Sequence, residues 1–124
     1  MNSAAEFINS LSQENEDASV LFGNFLDSYY RADIEKRERM LAEEPKVYQN
    51  VRVIDYVNIA ATVHKLARDS GISVPSWVFK KKYYTEEPYF PVRHPDLRLV
   101  YMFESPSEFK HRNMFVSENV LSRV

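Results

Sequence analysis

Apolar residues recur at helical spacing through most of this chain, and no stretch alternates at period two with turn residues at both ends. The first twelve residues read as a short helix. Ser3 stands at its cap, Glu6 three residues later completes a capping-box pattern, and Phe7, Ile8 and Leu11 share a face. The polar stretch from Ser12 to Asp17 is acidic enough to favour the start of a second helix. Phe22, Phe25, Leu26 and Tyr29 then fall at i, i+3, i+4 and i+7, and the stripe runs on through Tyr30, Ile34, Arg37 and Leu41. Residues 18–44 are therefore either one long helix or two bent near Arg31, with Pro45 ending the run. From Glu35 to Glu44 most residues are charged, the composition of an exposed helix laced with i,i+4 pairs.

The strongest periodic segment runs from Val51 to Ser70. Val53, Tyr56, Ala60, Val63 and Ala67 alternate steps of three and four, flanked by Ile59 and Leu66. Gly71 follows where a helix end favours glycine, with Lys65 and Arg68 in the closing turns. Its alanines allow close approach of other helices, so residues 53–67 are expected at the centre of the fold. Beyond Gly71 the pattern breaks. Pro75, Pro88, Pro91 and Pro95 preclude one long helix over residues 72–95, leaving a helical turn over residues 76–81 and an irregular aromatic loop from Tyr83 to Phe90. Residues 96–105 read as helical, with Leu97, Val100, Tyr101 and Glu104 on one side. Pro106 opens a further short helix capped by Ser105, and Ser117 stands as cap for residues 118–123. The expected fold is all-α: a single compact helical domain, 1–124, of five to seven helices. Residues 1–50 supply acidic N-terminal helices, 51–71 the central helix, and 72–124 a Pro/aromatic loop wrapped across it and short C-terminal helices.

Composition narrows the chemistry. The chain has 124 residues, 44% of them hydrophobic and 27% charged, a globular balance large enough for a real core. It has no cysteine, which excludes disulfides, thiolate catalysis and Cys-built metal sites. No apolar run approaches the roughly 20 residues of a membrane span, and no secretion signal opens the sequence, so a cytoplasmic protein is expected. Only Gly23 and Gly71 are glycine, too few for a phosphate-cradling loop or a dinucleotide fingerprint. Charge is uneven. Residues 1–62 hold six Lys/Arg against eleven Asp/Glu (−5), and residues 63–124 hold ten against seven (+3).

The three histidines, His64, His94 and His111, share no i,i+4 face, so no metal is assigned, and no motif calls for a cofactor. No nucleophile elbow is present, and the adjacent pairs Glu43–Glu44 and Glu86–Glu87 point about 100° apart on a helix. Glu86 and Glu87 in the aromatic loop are the one place an enzyme site is conceivable. Lys80, Lys81 and Lys82 beside Tyr83 and Tyr84, with Lys110, His111 and Arg112 farther on, offer cations and rings for nucleic acid. The ring-rich stretch Trp77, Phe79, Tyr83, Tyr84, Tyr89 and Phe90 is either a lid folded onto the core or a face offered to a protein partner.

From about Val57 to Val124 the order of residues resembles a C-terminal module of small bacterial antitoxin-like proteins. An Ala-rich helix ends in Gly71, Ile72, Val74, Pro75 and Trp77; Phe90–Pro91 follows; then Ser105–Pro106, Phe109, Lys110 and Arg112; then Phe115, Leu121 and Arg123. Such proteins are often fused to a phage-repressor helix-turn-helix or paired with a nucleotidyltransferase-like protein. The first 50 residues here are too short and too acidic for a repressor domain, so what the resemblance implies is partner binding. The leading expectation is a non-enzymatic, antitoxin-like interaction protein. Trp77, Phe79, Tyr83, Tyr84, Tyr89, Phe90, Lys110, Arg112 and Arg123 would hold the partner, nucleotidyltransferase-like by that resemblance, although for Arg112 and Arg123 pairing within the chain is the favoured role; self-association as a homodimer is also open. A nucleic-acid-binding module and a small enzyme remain the alternatives.

Overall fold

Residues 2–13 and 16–123 are described by a computed structural model of the chain. Glu14 and Asn15 of the acidic stretch, and the terminal Val124, lie outside the described residues. The described residues form six α-helices and no strand, packed as one all-helical domain: α1 (Ala4–Ser12), α2 (Ala18–Arg31), α3 (Ile34–Ala42), α4 (Val53–Ser70), α5 (Pro95–Glu104) and α6 (Ser107–Lys110). Two 3₁₀ turns, Ser76–Phe79 and Lys81–Tyr83, lie between α4 and α5. A lone parallel bridge joins Tyr89 to Met114. Among the described residues no helix is long and apolar enough to cross a membrane.

Local chemistry sets the helix ends. Ser3 Oγ accepts the Glu6 amide at 3.1 Å and lies 3.3 Å from the Glu6 carboxylate. Asp17 caps α2 through the Ser19 amide, and Asp33 caps α3 through the Lys36 amide at 2.9 Å. Residues 18–44 thus divide into two helices at Ala32 and Asp33. The corner is clamped by Arg37, whose Nε and Nη2 donate to the Tyr29 and Tyr30 carbonyls at 3.0 and 3.1 Å. These carbonyls lie in the last turn of α2, where Tyr29 also accepts the Ala32 amide at 3.1 Å, and the guanidinium also lies over the Tyr29 ring. At the end of α4 Gly71 takes φ 71°, letting the Ile72 amide reach the Ala67 carbonyl at 2.9 Å and its own amide reach Arg68 at 3.2 Å, a Schellman close.

α4 is the centre, as its periodicity predicts. Val57, Ile59, Ala60, Ala61, Val63 and Ala67 are fully buried, and α1, α3, α6 and both 3₁₀ turns pack around it. Val53, in its first turn, is instead exposed. The segment after Gly71 folds down as a lid: the Trp77 indole donates to the Leu41 carbonyl at 3.2 Å, packs edge-on to Tyr83, and closes the core beside α3.

Three expectations for the C-terminal third are corrected. Ser105 does not cap α6. Its hydroxyl bonds the Tyr101 and Val116 carbonyls at 2.5 and 2.8 Å and receives the Val116 amide, tying the end of α5 to the tail. Residues 118–123 form turns rather than a helix, with the Asn119 amide on Ser117 Oγ. Arg112 does not reach solvent. Only 1% exposed, it lies inside the fold.

Candidate functional site

The residues expected to meet a partner divide sharply by burial. Trp77, Tyr83 and Arg112 belong to the interior. Arg112 donates to the Glu108 carbonyl at 2.9 Å and the Val78 carbonyl at 2.8 Å, lies 3.1 Å from His64 Nδ1, and covers the Tyr84 ring at 4.8 Å. It staples α6 to the lid and to α4. Beside it Glu108, also buried, pairs with Arg68 at 2.7 Å. Burial, and then the charge of Arg112, push the His64 imidazole below its usual pKa, so the ring is held neutral. Phe90 stacks on Phe115, and the Tyr89 backbone pairs with Asn113 and Phe115. Arg123 pairs with Asp27 at 2.9 Å, and Gly23 leaves the room: a Cβ there would sit 2.9 Å from the guanidinium. Of the nine residues Phe79 alone is a widely exposed ring, edge-on to His64.

The lysine run is tied down at Glu44, which receives Lys80 at 2.6 Å, Lys82 at 3.1 Å and the Tyr83 hydroxyl at 2.7 Å. Burial by itself would raise this carboxyl; Lys80, Tyr83 and Lys82 outweigh it and bring its pKa down to about 2. Two of the three cations are therefore neutralised within the chain, and one of the two rings is buried. Glu86 and Glu87 are both exposed. Among the described residues no group of three His, Asp or Glu side chains gathers as metal ligands. A surface cavity of about 600 Å³ between α2, α4 and the tail is lined by the Asp27–Arg123 and Lys65–Asp69 pairs together with Arg31 and Glu118.

What the sequence did not single out is α5. Not one of its residues is buried, and no other helix packs along it. Tyr101 and Glu104 are half-covered on the side toward the body, but Leu97 and Val100, expected to face inward with them, stay open. On the outward side Leu99, Met102 and Phe103 stand at i, i+3 and i+4, with Phe103 83% exposed. The ends of the helix are nonetheless fixed. At the start His94 Nδ1 accepts the Asp96 amide at 3.2 Å, while Arg98 donates to the Val92 carbonyl at 3.1 Å and lies over the Phe90 ring. At the finish Ser105 holds the Tyr101 carbonyl and Lys110 Nζ donates to the Phe103 carbonyl at 3.3 Å.

Beside α5 runs a groove of about 360 Å³, bordered by Phe22, Ile54, Asn58, Tyr101, Met114 and Val120. The groove also takes in the Arg52–Asp55 ion pair, and helix and groove together form a mostly apolar surface with polar groups among it, a composition that suits a protein-binding face. The signal in the sequence was a helix apolar on both sides, Leu97–Val100–Tyr101 on one and Leu99–Met102–Phe103 on the other, which requires cover all round. Compared with family models, with curated proteins and with solved structures, the chain matches none.

Proposed function

We propose that the protein is a non-enzymatic cytoplasmic interaction protein whose working surface is α5 with its adjoining groove. The observation that carries this reading is the apolar helix fixed at both ends, with Leu99, Met102 and Phe103 open on its outer side. A preformed helix gives up little conformational entropy on docking, and apolar anchors at i, i+3 and i+4 are the pattern by which helices seat in partner grooves. The antitoxin-like form of the reading, in which a bound nucleotidyltransferase-like protein is held inactive, draws its support from the order of Gly71, Pro75, Trp77, Ser105, Pro106, Phe109 and Arg112.

The test is capture of a stoichiometric protein from the native host on immobilised wild type, Phe103→Glu and Asn58→Arg. The first variant charges the outer stripe and the second fills the groove. A partner held by wild type and lost by either variant is the expected result. A partner held equally by all three, or none at all, would overturn the reading.

A further inference from the structure

His94 and His111 stand in the open, while His64 is half-buried on α4 against the lid. Its Nδ1 lies 3.1 Å from Arg112 Nη1. A guanidinium carries donors and no acceptor, so at this contact Nδ1 accepts and the ring's one proton sits on Nε2. The contact therefore exists only with the neutral imidazole. A proton on Nδ1 removes the acceptor and sets two cations side by side in the half-buried space.

Every element around the ring contributes to this asymmetry. Arg68 lies one turn farther along α4, Glu108 on α6, and His111 and Arg112 just beyond it, all close enough to act on the imidazole. Glu108 is the group among them that favours a charged ring, and its carboxylate is already bound by Arg68 at 2.7 Å. The lid faces the ring with Phe79, edge-on at 5.0 Å, and Tyr84 lies against the guanidinium at 4.8 Å.

The neighbours also fix what a proton there disturbs. If the imidazole turns away, its edge contact with Phe79 is lost. If the guanidinium withdraws, the carbonyl of fully buried Val78 loses its donor. Both routes act on the same two residues of the lid. The rest of the lid is held by ties that survive mild acid: the Trp77 indole on the Leu41 carbonyl, and Lys80, Lys82 and Tyr83 on Glu44, whose carboxyl at about 2 stays ionised.

We infer that His64 and Arg112 form a pH-operated catch on the lid: protonation of His64 Nδ1 in mild acid breaks the pair and loosens Val78–Phe79 from α4 and α6, while Trp77 and Tyr83 stay seated. With this stretch open the imidazole returns to its ordinary value of 6.5, above its value in the closed form. Closure is therefore complete above 6.5 and weakens as pH falls below it. One such group shifts the opening equilibrium by at most about 30-fold between about pH 7.5 and about pH 5.

The experiment is amide hydrogen exchange of the full chain over that range, corrected for the intrinsic rate and read by NMR beside the imidazole resonances. The Val78 and Lys80 amides, bonded to the Pro75 and Trp77 carbonyls, are expected to lose protection by up to about 30-fold in acid, while Tyr83 and the α4 residue Val63 keep theirs. His64→Asn places an amide oxygen where Nδ1 stands, so it keeps an acceptor for Arg112 with nothing to titrate, and should make the lid indifferent to pH. His111→Asn should leave the dependence in place. A lid equally protected across the range in wild type would overturn the inference, as would the same loss persisting in His64→Asn. So would a His64 resonance titrating at or above 6.5 in wild type, since Glu108 then supplies the counter-charge. Equal loss at Val63 would also overturn it, because the whole fold rather than the lid then responds to acid.

Discussion

Replacing Arg112 by Ala tests whether this side chain belongs to the interior or to a binding face. The guanidinium is 1% exposed and donates to two backbone carbonyls, of Glu108 and Val78, at 2.9 and 2.8 Å. Its removal strands both acceptors without water and takes a cation from beside the buried Glu108. Stranding a buried polar group costs about 1–3 kcal/mol, and here two carbonyls are stranded while Glu108 keeps its pair with Arg68. A loss of about 4 kcal/mol is expected, a large part of the roughly 5–15 kcal/mol that holds a domain together. Urea unfolding read by Trp77 fluorescence measures it cleanly, since that is the sole tryptophan and its indole is bound to the Leu41 carbonyl in the core. At an m-value of about 1.5 kcal/mol/M the midpoint should fall by roughly 2.5 M.

Two companions guard the result. Arg112→Met keeps an apolar stem over Tyr84 while removing every donor, so it should fold more stably than Ala and lose about half as much. Arg123→Ala removes an exposed pair with Asp27 and should cost under about 1 kcal/mol. If Arg112→Ala lost less than 1 kcal/mol, or no more than Arg123→Ala, the assignment of Arg112 to the interior would be wrong.

The remaining expectations concern one backbone position and two titrating groups. Gly71→Ala should cost about 1 kcal/mol through its left-handed backbone alone, because a Cβ there meets nothing within 4 Å, and Gly71→Asn should cost less. Glu44 has its carboxyl drawn down from 4.5 to about 2, so its contribution to stability is complete above pH 4.5 and is lost as pH falls toward 2; Glu44→Gln should flatten that limb of the acid-unfolding curve. His64 is a base held neutral by the fold, so its contribution is complete above its ordinary value of 6.5 and shrinks as pH falls below it. The imidazole resonances should titrate below 6.5 in wild type and move upward in Arg112→Met, where the neighbouring cation is gone.

Elements governed by local chemistry were readable from the chain. Ser3, Asp33 and Gly71 act within four residues of themselves, and the alanine-rich stripe of α4 needs only the helical period to be recognised as central. What was not readable depends on distant partners. Arg37 stands in a run of charges that looks like a solvated face, yet it closes the carbonyls of the preceding helix. Arg112 looks like a surface cation beside Lys110 until Val78 and His64, 34 and 48 residues away, are folded onto it. Ser105 precedes Pro106 as a cap would, but the tail at Val116 competes for its hydroxyl and wins two bonds. Several of the residues that carry the resemblance near the C-terminus, Trp77, Ser105, Phe109, Arg112 and Leu121, are thus interior ones. Pro75 and Trp77 turn and seat the lid, and Phe109 and Arg112 lock α6 beneath it.

α5 shows the same limit from the other side. The periodic reading chose Leu97, Val100 and Tyr101 as its inward face, because one chain offers one core and a helix is assigned one buried side. The outward trio has the same spacing and comparable bulk, so hydrophobicity alone cannot rank the two faces. The structure resolves the tie by covering neither fully: the body takes part of Tyr101 and Glu104 and leaves Phe103 in water. Exposure of a single leucine needs no explanation, but five large apolar side chains stand open on these ten residues, with Leu99, Met102 and Phe103 together as one outer patch. Hydrogen bonds from Arg98, Ser105 and Lys110 hold that patch in place, so it does not arise from a loose segment that could fold back on the core. A helix fixed at both ends by its own chain, and uncovered between them, is completed from outside.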